Sequence, residues 1–218
     1  MAVAAGDGVQ QLFRDLGVQQ IVSGGQTMNP STEDILHAAE QVPAMDVYVL
    51  PNNKNIVMAA EQAARLARTS GVRRIHVVPT TTIPQGISAM MAYDESAEIK
   101  DNVEAMQEAA SRVQSGSVTF AARDSDYDGH QIKEGELLAL ENGKVAFTGT
   151  DLGSVTAKVA KDLMQEDSQF ITLLYGADVS EEQAADVEEA VRSLLPEEVE
   201  LTVAYGGQPV YYFLISVE

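Results

Sequence analysis

The chain lacks cysteine and tryptophan altogether. Without thiols, disulfides and thiolate-held metals are excluded. Basic residues are scarce: 14 Lys and Arg face 33 Asp and Glu, a formal net charge of -19 over 218 residues. A surface of that sign repels phosphate backbones and anionic headgroups, so nucleic acid is not an expected partner. Nor does any apolar run reach the roughly 20 residues of a membrane-spanning helix, and no span is expected. The opening MAVAAGDGVQQLF has no basic stretch ahead of an apolar one, unlike a secretory signal, which makes the cytoplasm the expected location. The same opening reads as running almost directly into a helix, in the manner of a piece cut from a longer protein.

What is present is a globular composition, 45% hydrophobic, suited at this length to one or two domains of about 100 to 200 residues each. Helix and strand patterns alternate at first: helix Gly8 to Leu16, strand Gln20 to Ser23, helix Ser31 to Val42, strand Asp46 to Leu50, helix Asn55 to Arg68, strand Arg74 to Val78 and helix Pro84 to Ala92. Such alternation predicts a parallel, Rossmann-like sheet covered by helices, with the runs around Val47 and Ile75 as strands buried on both faces. Ile99, Val103, Met106, Ala110 and Val113 then mark the apolar stripe of a further helix. After Ser115-Gly116-Ser117 the pattern turns rich in strands and then mixed, with helices expected over Ser154 to Met164 and Ser180 to Leu195 and a closing strand over Val210 to Val217. The expected class is α/β in two lobes, a parallel-sheet lobe over 1–115 and a mixed lobe over 116–218.

The segment SGGQTMNPSTEDI, Ser23 to Ile35, passes from strand through a Gly-Gly turn to hydroxyls and an amide at a helix start. Glycine lets backbone approach a ligand, and free amides at a helix start favour an anion. The plainer reading is that Ser31 and Asp34 form a capping box. Two more polar turns, PNNKN (Pro51 to Asn55) and PTTTIPQG (Pro79 to Gly86), follow strands in the same half. In an open parallel sheet such turns line one crevice at the carboxyl ends of the strands. Thr27, Asn29, Ser31, Asn52, Asn55 and Thr80, Thr81 and Thr82 are therefore the candidate ligand residues of the first lobe. None of these turns holds a nucleophile paired with a base, so no catalytic residue is assigned.

Asp124, Asp126, Asp128 and Gly129 imitate the start of a calcium loop, but Gly135 stands where that loop needs a bidentate Glu. An Asp-Gly turn is the expectation there. His37, His76 and His130 show no metal-ligand spacing, and Gly143-Lys144 reads as a hairpin turn, since no GxxxxGK[ST] precedes a helix. No metal site and no ATP site is expected in this chain.

SGGQTMNPSTEDI, LPNNKNIVMAAEQAA, the IKEGE stretch after Asp128 and the closing YGGQPVYYFLISVE together resemble the C-terminal region of the FakA family of fatty-acid kinases, often labelled YloV-like or DAK2-domain. The resemblance covers essentially the whole chain. It implies a parent with an N-terminal ATP-binding kinase domain, where ATP and Mg would bind, and a DegV-like fold for the present region, related to fatty-acid binding proteins that deliver the acyl chain. Such carriers hold the fatty-acid carboxylate with a Thr in TSQPS, a Ser in SGT and a His near the end. TMNPS keeps Thr27 and Ser31, Asn55 stands in place of the second motif's Ser, and Tyr205 with Gln208 occupies the terminal motif. Tyr205 and Gln208 thus complete the candidate site, with two carboxylate-binding positions changed.

The leading expectation is a non-catalytic DegV-like region of a kinase subunit whose parent makes acyl-phosphate for phospholipid synthesis. Its partners would be the rest of the parent chain and a fatty-acid binding protein. The alternatives are a fatty-acid or small-molecule binding module, and a dihydroxyacetone kinase-like subunit with a substrate-binding histidine.

Overall fold

In the computed structural model the described residues are 1–26, 28–71, 73–127 and 130–218, with backbone alone at 127, 130 and 131. The chain divides into two compact units, Met1–Val113 and Gln114–Glu218.

In the first unit β1 (Ala2–Ala4) leads through α1 (Asp7–Asp15) to β2 (Ile21–Ser23), then α2 (Thr32–Gln41), β3 (Asp46–Val49), α3 (Lys54–Ser70), β4 (Arg74–Val77), α4 (Ile83–Met91) and α5 (Ile99–Arg112). The pairs β1–β2 and β3–β4 are parallel. A parallel bridge from Ala2 to Leu50 joins them, with Val3 N donating to Leu50 O at 2.9 Å and Leu50 N to Met1 O at 3.0 Å. The resulting order is β2-β1-β3-β4. The opening residues thus form a buried strand, where the sequence reads as running straight into a helix: AVA is too short to carry a period, and its place comes from partners 19 and 48 positions away.

Capping explains the helix starts. Ser31 accepts from Asp34 N while Asp34 accepts from Ser31 N, a complete capping box. Asn53 caps α3 and Thr82 caps α4, with Pro84 in its first turn. Helices α2 and α3 lay Ile35, Ala38, Ala39, Ile56, Ala60 and Ala63 against Val3, Val47 and Val49. On β3 and β4 only alternate residues join that core. Asp46 and Tyr48, in register with Arg74 and His76, occupy the opposite face. These strands are therefore apolar on one face and polar on the other, not buried on both as their short apolar runs suggest. Gly71, left-handed at φ 70°, ends α3 at a conformation that glycine adopts without strain.

The second unit is a six-stranded sheet in the order β11-β10-β12-β5-β8-β9, from β5 (Gln114–Phe120), β8 (Leu137–Glu141), β9 (Lys144–Gly149), β10 (Phe170–Tyr175), β11 (Glu200–Tyr205) and β12 (Tyr211–Val217), with a β6–β7 pair (Ser125–Tyr127, His130–Ile132) following β5 in sequence. Asp128 and Gly129, where the Asp-Gly turn is expected, lie outside the described residues. Only β10 and β11 pair in parallel in the six-stranded sheet; the other neighbours are antiparallel. Helices α6 (Leu152–Asp162) and α7 (Glu181–Arg192) cover a core of Val118, Ala139, Val159, Leu173, Val191, Phe213 and Ile215. Ser115, Gly116 and Ser117 lie inside β5. A Cβ at Gly116 would press on Val159, Leu163 and Ile215, so glycine is needed there for helix-on-sheet contact. Helix α7 opens with the Ser180–Gln183 capping box and ends at Arg192, three residues short of the run that the apolar spacing predicts.

Candidate functional site

In the first unit the connection from β1 runs to β2 on one side while β3 lies on the other, so the strand order reverses between β1 and β3. That reversal is where open parallel sheets hold ligands. Asn52 occupies it, 7% exposed and left-handed at φ 55°, a conformation that asparagine tolerates better than most residues. Its Nδ2 donates to Val3 O at 3.0 Å, its backbone N donates to Thr80 Oγ1 at 3.1 Å, and Thr80 Oγ1 donates to Asn52 Oδ1 at 2.8 Å. Thr80 is 1% exposed. The polar groups of this pair are spent on each other and on β1. A Cβ at Gly86 would overlap Asn52 Oδ1, so α4 seats directly on the pair.

The other candidates are distributed around it. Thr27 lies outside the described residues. Ser31 is exposed and engaged with Asp34, whose carboxyl its hydroxyl and backbone N–H hold below the usual range. Asn29 and Asn55 are exposed. Asn53, which sequence reasoning passed over, accepts from Asn55 N at 2.8 Å and donates to Gly25 O, tying the Gly-Gly turn to α3. The turn itself is closed by Gly25 N donating to Met28 O at 2.8 Å, with Gly25 at φ 97°. Thr81 donates from its backbone N and from Oγ1 to Gln85 Oε1, at 2.8 and 2.9 Å, and Thr82 Oγ1 accepts from Gln85 N.

Tyr205 and Gln208 belong to the second unit. Tyr205 is 46% exposed and stands edge-on to Tyr175, ring centroids 5.3 Å apart. Gln208 is 1% exposed; its Nε2 donates to Leu174 O at 2.7 Å, while its Oε1 is buried without a hydrogen-bond partner. The following turn is unusual. Val210 has φ 73° and Tyr211 N donates back to Pro209 O at 2.8 Å, a γ-turn of the rarer, strained kind. Thr119 Oγ1 donates to Val210 O at 2.7 Å and steadies it.

Two further features of the first unit escaped the sequence. Asp46 binds Arg74 through paired contacts, one at 2.7 Å, and His76 Nε2 at 2.8 Å. The Arg74 guanidinium, aided by His76 and opposed by partial burial, holds the Asp46 carboxyl well below the usual carboxylate range. Beside this cluster Tyr48 stacks near His76 and Tyr93, and the buried Asn102 closes on Asp94. The second feature is a cleft of about 340 Å³ between Val78 to Thr81 with Gln85 on one side and Gln107, Ala110 and Ser111 of α5 on the other. Among the described residues no three His, Asp or Glu side chains gather as a metal site would require, and no helix is long and apolar enough to cross a membrane.

All of the chain, residues 1–218, matches the FakA-like family, that of the C-terminal region of fatty acid kinases of the FakA type. The chain belongs to that family. As one of the FakA-like C-terminal regions, it is 40% identical over 218 residues to protein YloV of Bacillus subtilis, a match of 100% of this chain to 38% of that protein. The chain therefore spans well under half the length of this relative. Its fold is similar to that of a DegV family protein from Corynebacterium glutamicum, with a TM-score of 0.70 and 13% identity over 99% of this chain and 95% of that one. It is also similar to the dihydroxyacetone kinase of C. freundii in complex with AMP-PNP and Mg2+, with a TM-score of 0.69 and 15% identity over 99% of this chain and 48% of that one. At such identities the likeness is one of mixed α/β fold and carries no activity with it.

Asn52 and Thr80 were legible as polar turn residues, but their mutual engagement was not. The signal that could have found Asn53 is its position two residues before Asn55 at a helix start, the usual place of a cap.

Proposed function

We propose that this chain is a non-catalytic interaction or regulatory region of a longer fatty-acid kinase subunit, whose other segments hold ATP and magnesium and convert a protein-bound fatty acid to acyl-phosphate for phospholipid synthesis. The observation that carries the reading is the Asn52–Thr80–Val3 network. At the strand-order reversal, the place best suited to a ligand, the buried polar groups satisfy one another. A fatty-acid carboxylate needs matched donors, because an unpaired buried charge costs several kcal/mol. The exposed Met28 and Met58 add adaptable apolar contacts of the kind that protein partners use. The partner that suits this role is a DegV-type fatty-acid carrier.

The test is calorimetric titration of the chain with an acyl-loaded DegV-family carrier, alongside native mass spectrometry of the chain with oleate and an assay of ATP turnover. Saturable binding of the carrier, without turnover and without a stoichiometric fatty acid on the chain alone, is the expected result. A fatty acid held one-to-one by the chain would instead make it a binding module, and turnover would make it an enzyme.

A further inference from the structure

The cleft between the β4–α4 turn and α5 plays no part in the network around Asn52 beyond sharing Thr80 in its wall. At about 340 Å³ it falls within the range of small-molecule sites, roughly 300 to 1,000 Å³. We propose that it binds a small uncharged ring amide, a molecule with a carbonyl acceptor beside an N–H donor on a flat, largely apolar ring.

The chemistry of the walls selects that class. Gln85 Oε1 already accepts from both the backbone N and the hydroxyl of Thr81, so what Gln85 offers the cleft is the donor edge of its amide. Ser111 donates its hydroxyl hydrogen to Glu108 O at 2.7 Å, and what it offers is lone pairs. Gln107 is exposed on α5 and brings a second carboxamide, able to donate and to accept. Val78, Pro79 and Ala110 supply the apolar surface for a ring. Donor, acceptor and apolar wall are thus all present in one cleft.

Charge is what the cleft does not offer. None of its lining residues is ionisable, and the chain's net charge of -19 works against an anion. The start of α4 is no anion site either, since Thr82 Oγ1 already accepts from Gln85 N and Pro84 has no N–H to give.

The experiment is an NMR titration of the 15N-labelled chain with uracil and with hydantoin, using benzoate as a charged ring of similar size. Uracil and hydantoin are expected to shift amides in the β4–α4 turn and at 107–111, and benzoate to leave them in place. Gln85→Glu keeps the acceptor for Thr81 and removes the donors, and should weaken uracil binding about tenfold, the value of one hydrogen bond of about 1.4 kcal/mol. Gln107→Leu should weaken it by a similar factor, and a dispersed spectrum verifies that each variant folds. The proposal is overturned if neither neutral ring shifts these amides at millimolar concentration, if benzoate matches them, or if both folded variants bind uracil as the parent chain does. Carrier binding is read with a protein titrant, so either proposal can fail while the other stands.

Discussion

Asn52 and Thr80 hold each other by two hydrogen bonds, Asn52 N to Thr80 Oγ1 at 3.1 Å and Thr80 Oγ1 to Asn52 Oδ1 at 2.8 Å, although 28 residues separate them. With Asn52 Nδ2 on Val3 O, the pair links the ends of β1, β3 and β4. Thr80→Val keeps the shape and removes the hydroxyl, leaving a buried acceptor and a buried N–H unmatched. The expected loss is about 2 to 3 kcal/mol in urea unfolding, since each orphaned group costs about 1 to 3 kcal/mol. Gly86→Ala should cost a comparable amount, because its Cβ overlaps Asn52 Oδ1. In an Asn52→Gly background, which removes that oxygen while keeping the left-handed backbone, the cost of Gly86→Ala should shrink. Equal costs in both backgrounds would mean that Gly86 is not held by Asn52.

The Met1 amino group is buried and donates to Tyr48 O at 2.7 Å, and burial pushes its pKa from 8.0 down to about 5. Between those values the unfolded chain binds a proton that the folded chain does not, so this group makes stability rise with pH. Its contribution is complete above pH 8 and is lost as pH falls to about 5. The slope should approach roughly 1.4 kcal/mol per pH unit inside that window. Nα-acetylation keeps one N–H for Tyr48 O and removes the titration. Urea midpoints at several pH values should therefore flatten for the acetylated chain; an unchanged slope would assign the pH dependence to other groups.

Val210 at φ 73° is a β-branched residue in a region that such residues avoid. Glycine has no such penalty, and Val210→Gly should raise the thermal midpoint, the relief of about 1 to 2 kcal/mol exceeding the roughly 0.5 to 1 kcal/mol by which glycine loosens the unfolded chain. Gly176→Ala should act in the opposite direction and more strongly, because its Cβ would collide with the backbone oxygens of Tyr211 and Gln208, which cannot turn aside. A lower midpoint for Val210→Gly would show that the Val side chain contributes more by packing than its backbone costs.

Much of the local structure was legible because its causes are local. Ser31 with Asp34 and Ser180 with Gln183 sit three residues apart, and each pair closes the capping box its spacing announces. The β8–β9 hairpin turns on Asn142-Gly143, both with positive φ, as that dipeptide favours. The polarity of one face of β3 and β4 was less legible, because four-residue strands give alternation too few positions to stand out. Val210 ran against every local rule, valine being among the last residues expected at positive φ.

By itself the sequence determined the mixed α/β class, the helix starts and the family, since propensity, capping and family motifs all act over short stretches of chain. Only the tertiary structure decided that AVA is a strand, that Asn52 and Thr80 face each other rather than a ligand, and that Gln85 and Gln107 share a cleft. Each of those outcomes is a hydrogen bond or a surface shared by residues far apart in the chain. Such pairings become favourable only after the packed core has brought the partners together, and no spacing in the sequence records them.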